Sequence, residues 1–436
     1  MGNGYESDRS RCWRRLSLFL LTLSLLVGCG NANNQVISTP EPLAPFTGTE
    51  IRYLAFQVFE GGPSPEIPFD RILVYTPKDS IAAVVHNIVT TIGVKGGQHS
   101  RLAFILGPIG FDYTDAEVRS IIDDGFAIAQ AEDVAVGFHI DDAMFWSKRG
   151  DLIGDSANVE WTSFDRAPAT GLLLDWAHPP ARMVFNAPAI RAEVMRRARD
   201  VIGACIAEHL NSLEVQGRED LFAGVIAGWE SHMGQDVATR DRVGFHALAR
   251  RGFGPGNPPA DVGAEVASIV AEYIDLWTSS LAQGGVPADR IYTHVAFISQ
   301  RRFTELQAEG QVPPGVPYGQ FVNAAPSSQQ PSIAFAANAR PGFSTYPVSG
   351  VFEQIYEERT RHKSSWWASA EGTNILPGGP AGNSGMSMEM YLARSFNHGA
   401  ALVNIFGWGI GDSSNPYRTV TEGADALAAY RKVLSQ

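Results

Sequence analysis

The sequence predicts an α/β fold: a single (β/α)8 barrel with long loops after its strands. Three observations carry this. Eight short apolar runs alternate with helical patterns. Acidic and aromatic residues gather just after several of the runs. No Gly-rich phosphate-binding turn follows the first run, which disfavours an open doubly wound sheet. Each run is rich in Val, Ile, Phe or Ala and is followed by Gly, Pro, Asp or Asn. Continuous apolarity of this kind suits parallel strands buried on both faces.

Ahead of the barrel, residues 1–28 read as a targeting segment. Arg9, Arg11, Arg14 and Arg15 precede the apolar run Leu16 to Val27, which is too short for an ordinary membrane span. The run ends Leu26-Val27-Gly28-Cys29. These four residues resemble a bacterial lipobox, and the resemblance implies cleavage before Cys29 and lipidation of that residue. Gly30 follows, with no Asp to suggest inner-membrane retention, so the outer membrane is the expected address. Residues 29–49 are polar and Pro-containing and are expected to form a flexible tether. Cleavage removes four Arg together with Glu6 and Asp8, which takes the formal charge from −12 to −14. Nucleic acid and anionic lipid surfaces are therefore poor partners for the mature chain. Cys12 is removed and Cys29 carries lipid, so Cys205 remains alone and no internal disulfide or Cys-type zinc site is expected.

Residues 50–436 are expected to form the barrel. The strand runs are Ile51–Phe59, Leu102–Leu106, Val134–Ile140, Phe222–Gly228, Ile291–Phe297, Ser332–Ala337, Trp367–Ala370 and Ala401–Phe406. Between them, Asp115 to Ala129 carries Val118, Ile121, Ile122 and Phe126 at helical spacing, and Thr114 with Glu117 makes a capping box. Ala192 to Leu210 places Cys205 on an apolar stripe, and Val262 to Leu281 carries a second stripe. Gly385 to His398 and Thr421 to Leu434 supply the last two helices. The segments from Val243 to Pro259 and from Asn374 to Gly385 are long, Gly- and Pro-containing excursions expected to wall a cleft over the strand ends.

Two glutamates close apolar runs: Glu230 after the fourth and Glu371 after the seventh. A carboxylate at a buried strand end costs free energy unless it is paired or used. Two on one barrel rim suit acid and nucleophile chemistry on a sugar. Alternation puts Gly224, Ile226, Gly228 and Glu230 on one face, and Trp367, Ser369 and Glu371 on another. His139 and Asp141 end the third run, and Trp408, flanked by Gly407 and Gly409, follows the eighth.

This layout resembles the retaining glycoside hydrolases of clan A. The resemblance implies that Glu230 is the acid/base, Glu371 the nucleophile and Trp408 the aromatic platform under the sugar. Tyr346 matches the group near the nucleophile after the sixth strand. In the family the acid/base follows Asn, which contacts the sugar 2-hydroxyl; here Trp229 stands in that place, and Asn186 or His139 would have to supply the contact. Trp229 is expected to raise the pKa of Glu230 by desolvation, while Ser369, Asn374 or Tyr346 keep Glu371 ionised. The implied partner is an oligo- or polysaccharide, and no cofactor is implied. Two other classes remain open. One is a carbohydrate-binding lipoprotein without catalysis. The other is a metal-dependent hydrolase centred on His139, Asp141 and Asp142, although no second His stands at a fixed spacing. A Gly-x-Ser-x-Gly elbow and a His-Glu-x-x-His helix are both absent.

Overall fold

The computed structural model describes residues 41–59, 76–173, 179–324, 328–375, 386–409 and 416–436. The targeting segment, Cys29 and residues 376–385 of the second excursion lie outside the described residues.

Eight parallel strands run in the order β5-β4-β3-β2-β1-β8-β7-β6. They are β1 (Arg52–Phe59), β2 (Ser100–Ile109), β3 (Ala135–Ile140), β4 (Phe222–Ala227), β5 (Ile291–Thr293), β6 (Gly342–Ser344), β7 (Trp367–Gly372) and β8 (Ala400–Ile405). The barrel closes between β5 and β6: Thr293 N donates to Arg340 O at 3.1 Å and Val295 N to Gly342 O at 3.0 Å. The predicted (β/α)8 barrel is the observed fold.

Strand alternation sorts the side chains into two cores. Leu54, Phe56, Leu102, Phe104, Val136 and Phe138 point outward into the helix layer. Tyr53, Ala55, Ala103, Ile105, Ala135, Ile226, Tyr292, Ala368, Ala370 and Leu402 fill the interior. The many alanines reflect how little room eight strands leave. Above this apolar plug sits a polar layer of Gln57, His139, His294, Ser344 and Asn404, all of them buried.

The sixth strand departs from the sequence expectation. Ser332–Ala337 is not a strand; Pro331–Ala334 forms a 3-10 turn. The true β6 is Gly-Phe-Ser, too short to register as an apolar run. It must begin with glycine, because a Cβ on Gly342 would lie 1.9 Å from the carbonyl oxygen of Thr293. Gly342→Ala should therefore push β6 off β5 and cost about 2–3 kcal/mol, read as a lower urea midpoint.

The predicted capping box is present: Thr114 accepts from Glu117 N, and Glu117 reaches back to Thr114 N. The helix expected over Ala192 to Leu210 spans Pro188–Arg196 and Ala204–Gln216, joined by a π-helical stretch, Arg197–Gly203. Helices Lys78–Ile92, Gln300–Ala308 and Val351–His362 add to those expected. The last residues of the stretch expected as a 29–49 tether pack on the folded domain. Leu43 and Phe46 are buried, Phe46 N donates to Gln436 Oε1 at 2.7 Å, and the guanidinium of Arg52 lies 4.2 Å from the Phe46 ring centre. Two apolar side chains in a polar stretch thus bring the folded domain back to about residue 41.

Candidate active site

Glu230 sits just past β4 in a loop that the sequence forces into a tight reversal. Gly228 has φ +92°. Glu230 itself has φ +53°, a left-handed conformation that costs a non-glycine residue free energy and is held only by its surroundings. Asp142, fully buried, supplies that hold. It accepts from Trp229 N at 3.3 Å and from the Ser231 hydroxyl. The Glu230 carboxyl then turns inward, with Oε1 2.6 Å from Ser344 Oγ and 4.0 Å from His294 Nε2.

Glu371 reaches the same rim by a bulge. Strict alternation would send it outward with Trp367 and Ser369. The β6–β7 register instead pairs Phe343 with Ser369 and Ser344 with Glu371, so β7 carries one extra residue. Bulges of this kind re-aim side chains beside active sites. The Glu371 carboxylate accepts from Tyr346 OH at 2.8 Å and from Trp229 Nε1 at 3.1 Å. Ser344, its neighbour across the ladder, is the residue bonded to Glu230, so the two acids meet over one strand.

Burial raises the pKa of both carboxyls, and the negative charge of Glu230 pushes Glu371 further up. Two buried like charges cannot both form cheaply, so the pair retains a proton well above the ordinary carboxylate range. The two donors on Glu371 favour its anion. Glu230 has one partner and a side chain still 22% exposed, so it is the better placed to carry the proton and meet a ligand.

Beneath the acids, the polar layer forms one connected chain. Ser344 Oγ lies 2.8 Å from His294 Nε2, His294 Nδ1 lies 3.1 Å from His139 Nε2, and His139 Nδ1 lies 3.1 Å from Gln57 Oε1. Asn404 Nδ2 lies 2.9 Å from that Gln57 oxygen and 2.8 Å from Ala370 O. His139 is therefore part of the floor below the pair. Gln57, His294 and Ser344 were not singled out from sequence as one unit. The signal available was alternation: Gln57 lies two residues before the end of β1, Ser344 ends β6 and His294 follows β5, each with the parity of the inward residues.

Several expected site residues are placed elsewhere. Trp408 turns outward, packs edge-on against Phe56 with centroids 5.1 Å apart and donates to Asn87, so it belongs to the helix layer and not to a sugar platform. Asn186 donates to Ala247 O and borders an 810 Å³ outer cleft with Arg191, Arg250, Glu272 and Asp275, away from the acids. Asp141 spends its oxygens on the backbone amides of Ala143, Met144 and Phe145, a turn-forming role. With Asp141 and Asp142 both engaged in loops, the metal reading on His139, Asp141 and Asp142 loses its ligand set. The group that geometry gathers instead is His139, His294 and Glu371, with one donor atom from each within 4.8 Å of the others. Ser369 bonds Thr345 and Tyr391, and Asn374 bonds Thr373 and Met386, so neither serves Glu371. Trp229 does serve it, donating to Glu371 rather than only shielding Glu230. Trp146 and Trp367 are fully buried, and Trp366 stacks with Arg52 and Arg340 at the opposite end of the barrel.

Tyr346→Phe removes one donor from the Glu371 anion. Its pKa should rise, moving the acidic limb of kcat/KM upward and lowering kcat by about tenfold or more on a hydrolysable substrate. A pH–rate profile checks this; an unmoved acidic limb would deny Tyr346 the role.

No protein-family model matches this chain, and no curated protein sequence matches it. Its fold resembles those of many solved structures, two of them as follows. The catalytic domain of beta-amylase from Paenibacillus polymyxa superposes with a TM-score of 0.53 at 10% identity, covering 89% of this chain and 99% of that one. Beta-galactosidase from the psychrophilic Marinomonas ef1 gives 0.50 at 10% identity, covering 88% of this chain and 59% of that one. The likeness is one of fold.

Proposed function

We propose that this chain is a retaining glycoside hydrolase acting on an oligo- or polysaccharide. Glu371 attacks the anomeric carbon while Glu230 protonates the departing oxygen. Glu230, then a carboxylate, draws a proton from water as that water opens the glycosyl–Glu371 ester. The observation that carries this reading is the convergence of Glu230 and Glu371 on one rim over Ser344, each by an irregular piece of backbone. A left-handed glutamate and a bulge are unusual expenditures for a structural ion site. The asymmetry of the pair fits the two roles. Two neutral donors fix and ionise the nucleophile, while the acid stays partly exposed where a leaving group and water can reach it. The two barrels of like fold are named a beta-amylase and a beta-galactosidase, which supports a carbohydrate substrate.

The test is a panel of aryl glycosides and polysaccharides offered to the wild type, Glu230→Gln and Glu371→Gln. Hydrolysis by the wild type, lost in both variants, supports the proposal. Binding of a saccharide that none of the three cleaves would make the chain a carbohydrate-binding protein instead. We further propose that Cys29 bears the lipid that anchors the domain outside the cytoplasm; radiolabelled palmitate incorporated by wild type but not by Cys29→Ala checks that.

A further inference from the structure

Away from the rim, the helix layer gathers three side chains of metal-ligating type. Helix Ala204–Gln216 carries Cys205 and His209 at i and i+4, so both project from one side of it. That side meets helix Asp115–Glu132, which brings Asp123 to them. Asp123 Oδ1 lies 2.7 Å from His209 Nε2 and 3.6 Å from Cys205 Sγ. One ligating atom from each residue lies within 4.8 Å of the other two. The His209 ring is held by stacking on Phe126, with centroids 4.4 Å apart and planes 13° from parallel. Phe126 is in turn packed against Phe138 and Phe222, so the imidazole rests on the core. The π-helical stretch Arg197–Gly203 runs up to this turn of helix. Such widened turns inside α-helices recur at functional sites.

We propose that Asp123, Cys205 and His209 form a site for a divalent cation of the zinc class, which fastens helix Asp115–Glu132 to helix Ala204–Gln216. The site is independent of the reaction proposed for the rim. Its donor set selects the metal: a thiolate with an imidazole and a carboxylate suits zinc, whereas magnesium and calcium want oxygen throughout. One thiolate and one carboxylate also neutralise a doubly charged ion. Binding exchanges the Cys205 S–H bond for a sulfur–metal bond, and the proton leaves to solvent. His209 binds through the lone pair of Nε2 with its hydrogen on Nδ1. Water completes a four-coordinate shell. Metal–ligand bonds of about 2.0–2.3 Å set neighbouring ligand atoms about 3.2–3.6 Å apart. The pair Asp123–Cys205 already has that spacing, and Asp123 has only to draw back slightly from His209. Its side chain is 59% exposed, so the adjustment leaves the core alone and solvent has a way in. Thiol nucleophile chemistry fits less well. Cys205 is buried, and it and His209 both address the carboxylate, so the imidazole is not placed to take the thiol proton. The lone cysteine of the folded domain rules out a site of several thiolates, but not one thiolate sharing a metal with residues more than eighty positions away.

The test adds cobalt(II), then zinc(II), to the full chain stripped of metal. Cobalt should give the near-ultraviolet charge-transfer band of a cobalt–thiolate bond, and zinc should displace it. Cys205→Ser should lose the band. Asp123→Asn, a change on an exposed side chain, and His209→Ala should each weaken cobalt binding by about 100-fold or more, since even a partner one bond removed from a metal is worth about 10- to 100-fold. Zinc should raise the melting temperature of the wild type and not that of Cys205→Ser. Cobalt binding with no thiolate band overturns the proposal, as does no binding at all. A band that survived Cys205→Ser would come from Cys12 or Cys29 and overturn it too. Zinc binding lost in His294→Ala but kept in Asp123→Asn would put the metal with His139, His294 and Glu371, which also overturns it. None of these readouts needs a substrate, so failure to hydrolyse any glycoside would count against the proposed function and leave the metal results standing.

Discussion

Glu371→Ala should lower kcat on a glycoside by on the order of 10^4-fold, and added azide should restore turnover with a product of inverted anomeric configuration. The expectation follows from geometry. The Glu371 carboxylate is held from two sides, by Tyr346 OH and Trp229 Nε1. Removing it deletes the proposed nucleophile and leaves those donors facing a small gap at the rim. An anion of azide's size can enter such a gap, take the same two hydrogen bonds and attack from the same side. The first displacement then survives, but its product cannot be turned over by a second one, so the configuration stays inverted. If the variant hydrolysed a good substrate at the wild-type rate, the nucleophile would have to be another group. If it were dead and azide restored nothing, Glu371 would be a structural acid.

The barrel was legible because its signal is repeated. Seven of the eight strands announced themselves as continuous apolar runs, and the capping box at Thr114 marked a helix start by itself. The remaining strand, β6, failed where the signal is weakest: three residues, one a glycine placed by a close backbone approach. The two acids were legible as carboxylates ending apolar runs. Their exact aim was not. The face assignment put Glu371 in line with Trp367 and Ser369, whereas those two point to the helices and a bulge separates Glu371 from them. A bulge inserts one residue into a period of two, and one residue leaves no trace in the sequence pattern. Trp408 misled for a related reason. Flanking glycines mark a chain that turns sharply, but they do not say which way the ring goes, and here it goes to Phe56. The polar floor was hidden because each member stands alone within its own apolar run. His139 reads as an isolated strand-end residue until His294 is known to lie at the same depth.

Glu230→Gln should separate the two halves of the reaction. Glutamine keeps the size of the side chain and can still accept the hydrogen bond of Ser344, but it has no proton to release. For a natural glycoside, whose leaving alkoxide needs protonation, loss of the acid should lower kcat by 10^2- to 10^4-fold. A nitrophenyl glycoside needs little help to depart, so its first step should be nearly unaffected. Its second step should still be slow, because water now lacks a base. The outcome is a burst of nitrophenol followed by a weak steady state, visible in a stopped-flow trace. The pH profile adds an independent sign. Burial raises the pKa of Glu230 in the folded protein, so its acid form persists above the ordinary carboxylate range and is lost as the pH rises through that elevated value. The basic limb of kcat/KM on the natural substrate should therefore belong to Glu230 and vanish in Glu230→Gln, while the acidic limb, set by ionisation of Glu371, should remain. A basic limb that persisted unchanged in the variant would assign the proton to another donor. With Glu371 already engaged by two hydrogen-bond donors and His139 and His294 held neutral by burial below the site, no described residue on this rim is as well placed to be that donor. The stopped-flow burst and the missing limb thus test one claim by two routes, one kinetic and one protonic, and both must appear for Glu230 to be the acid.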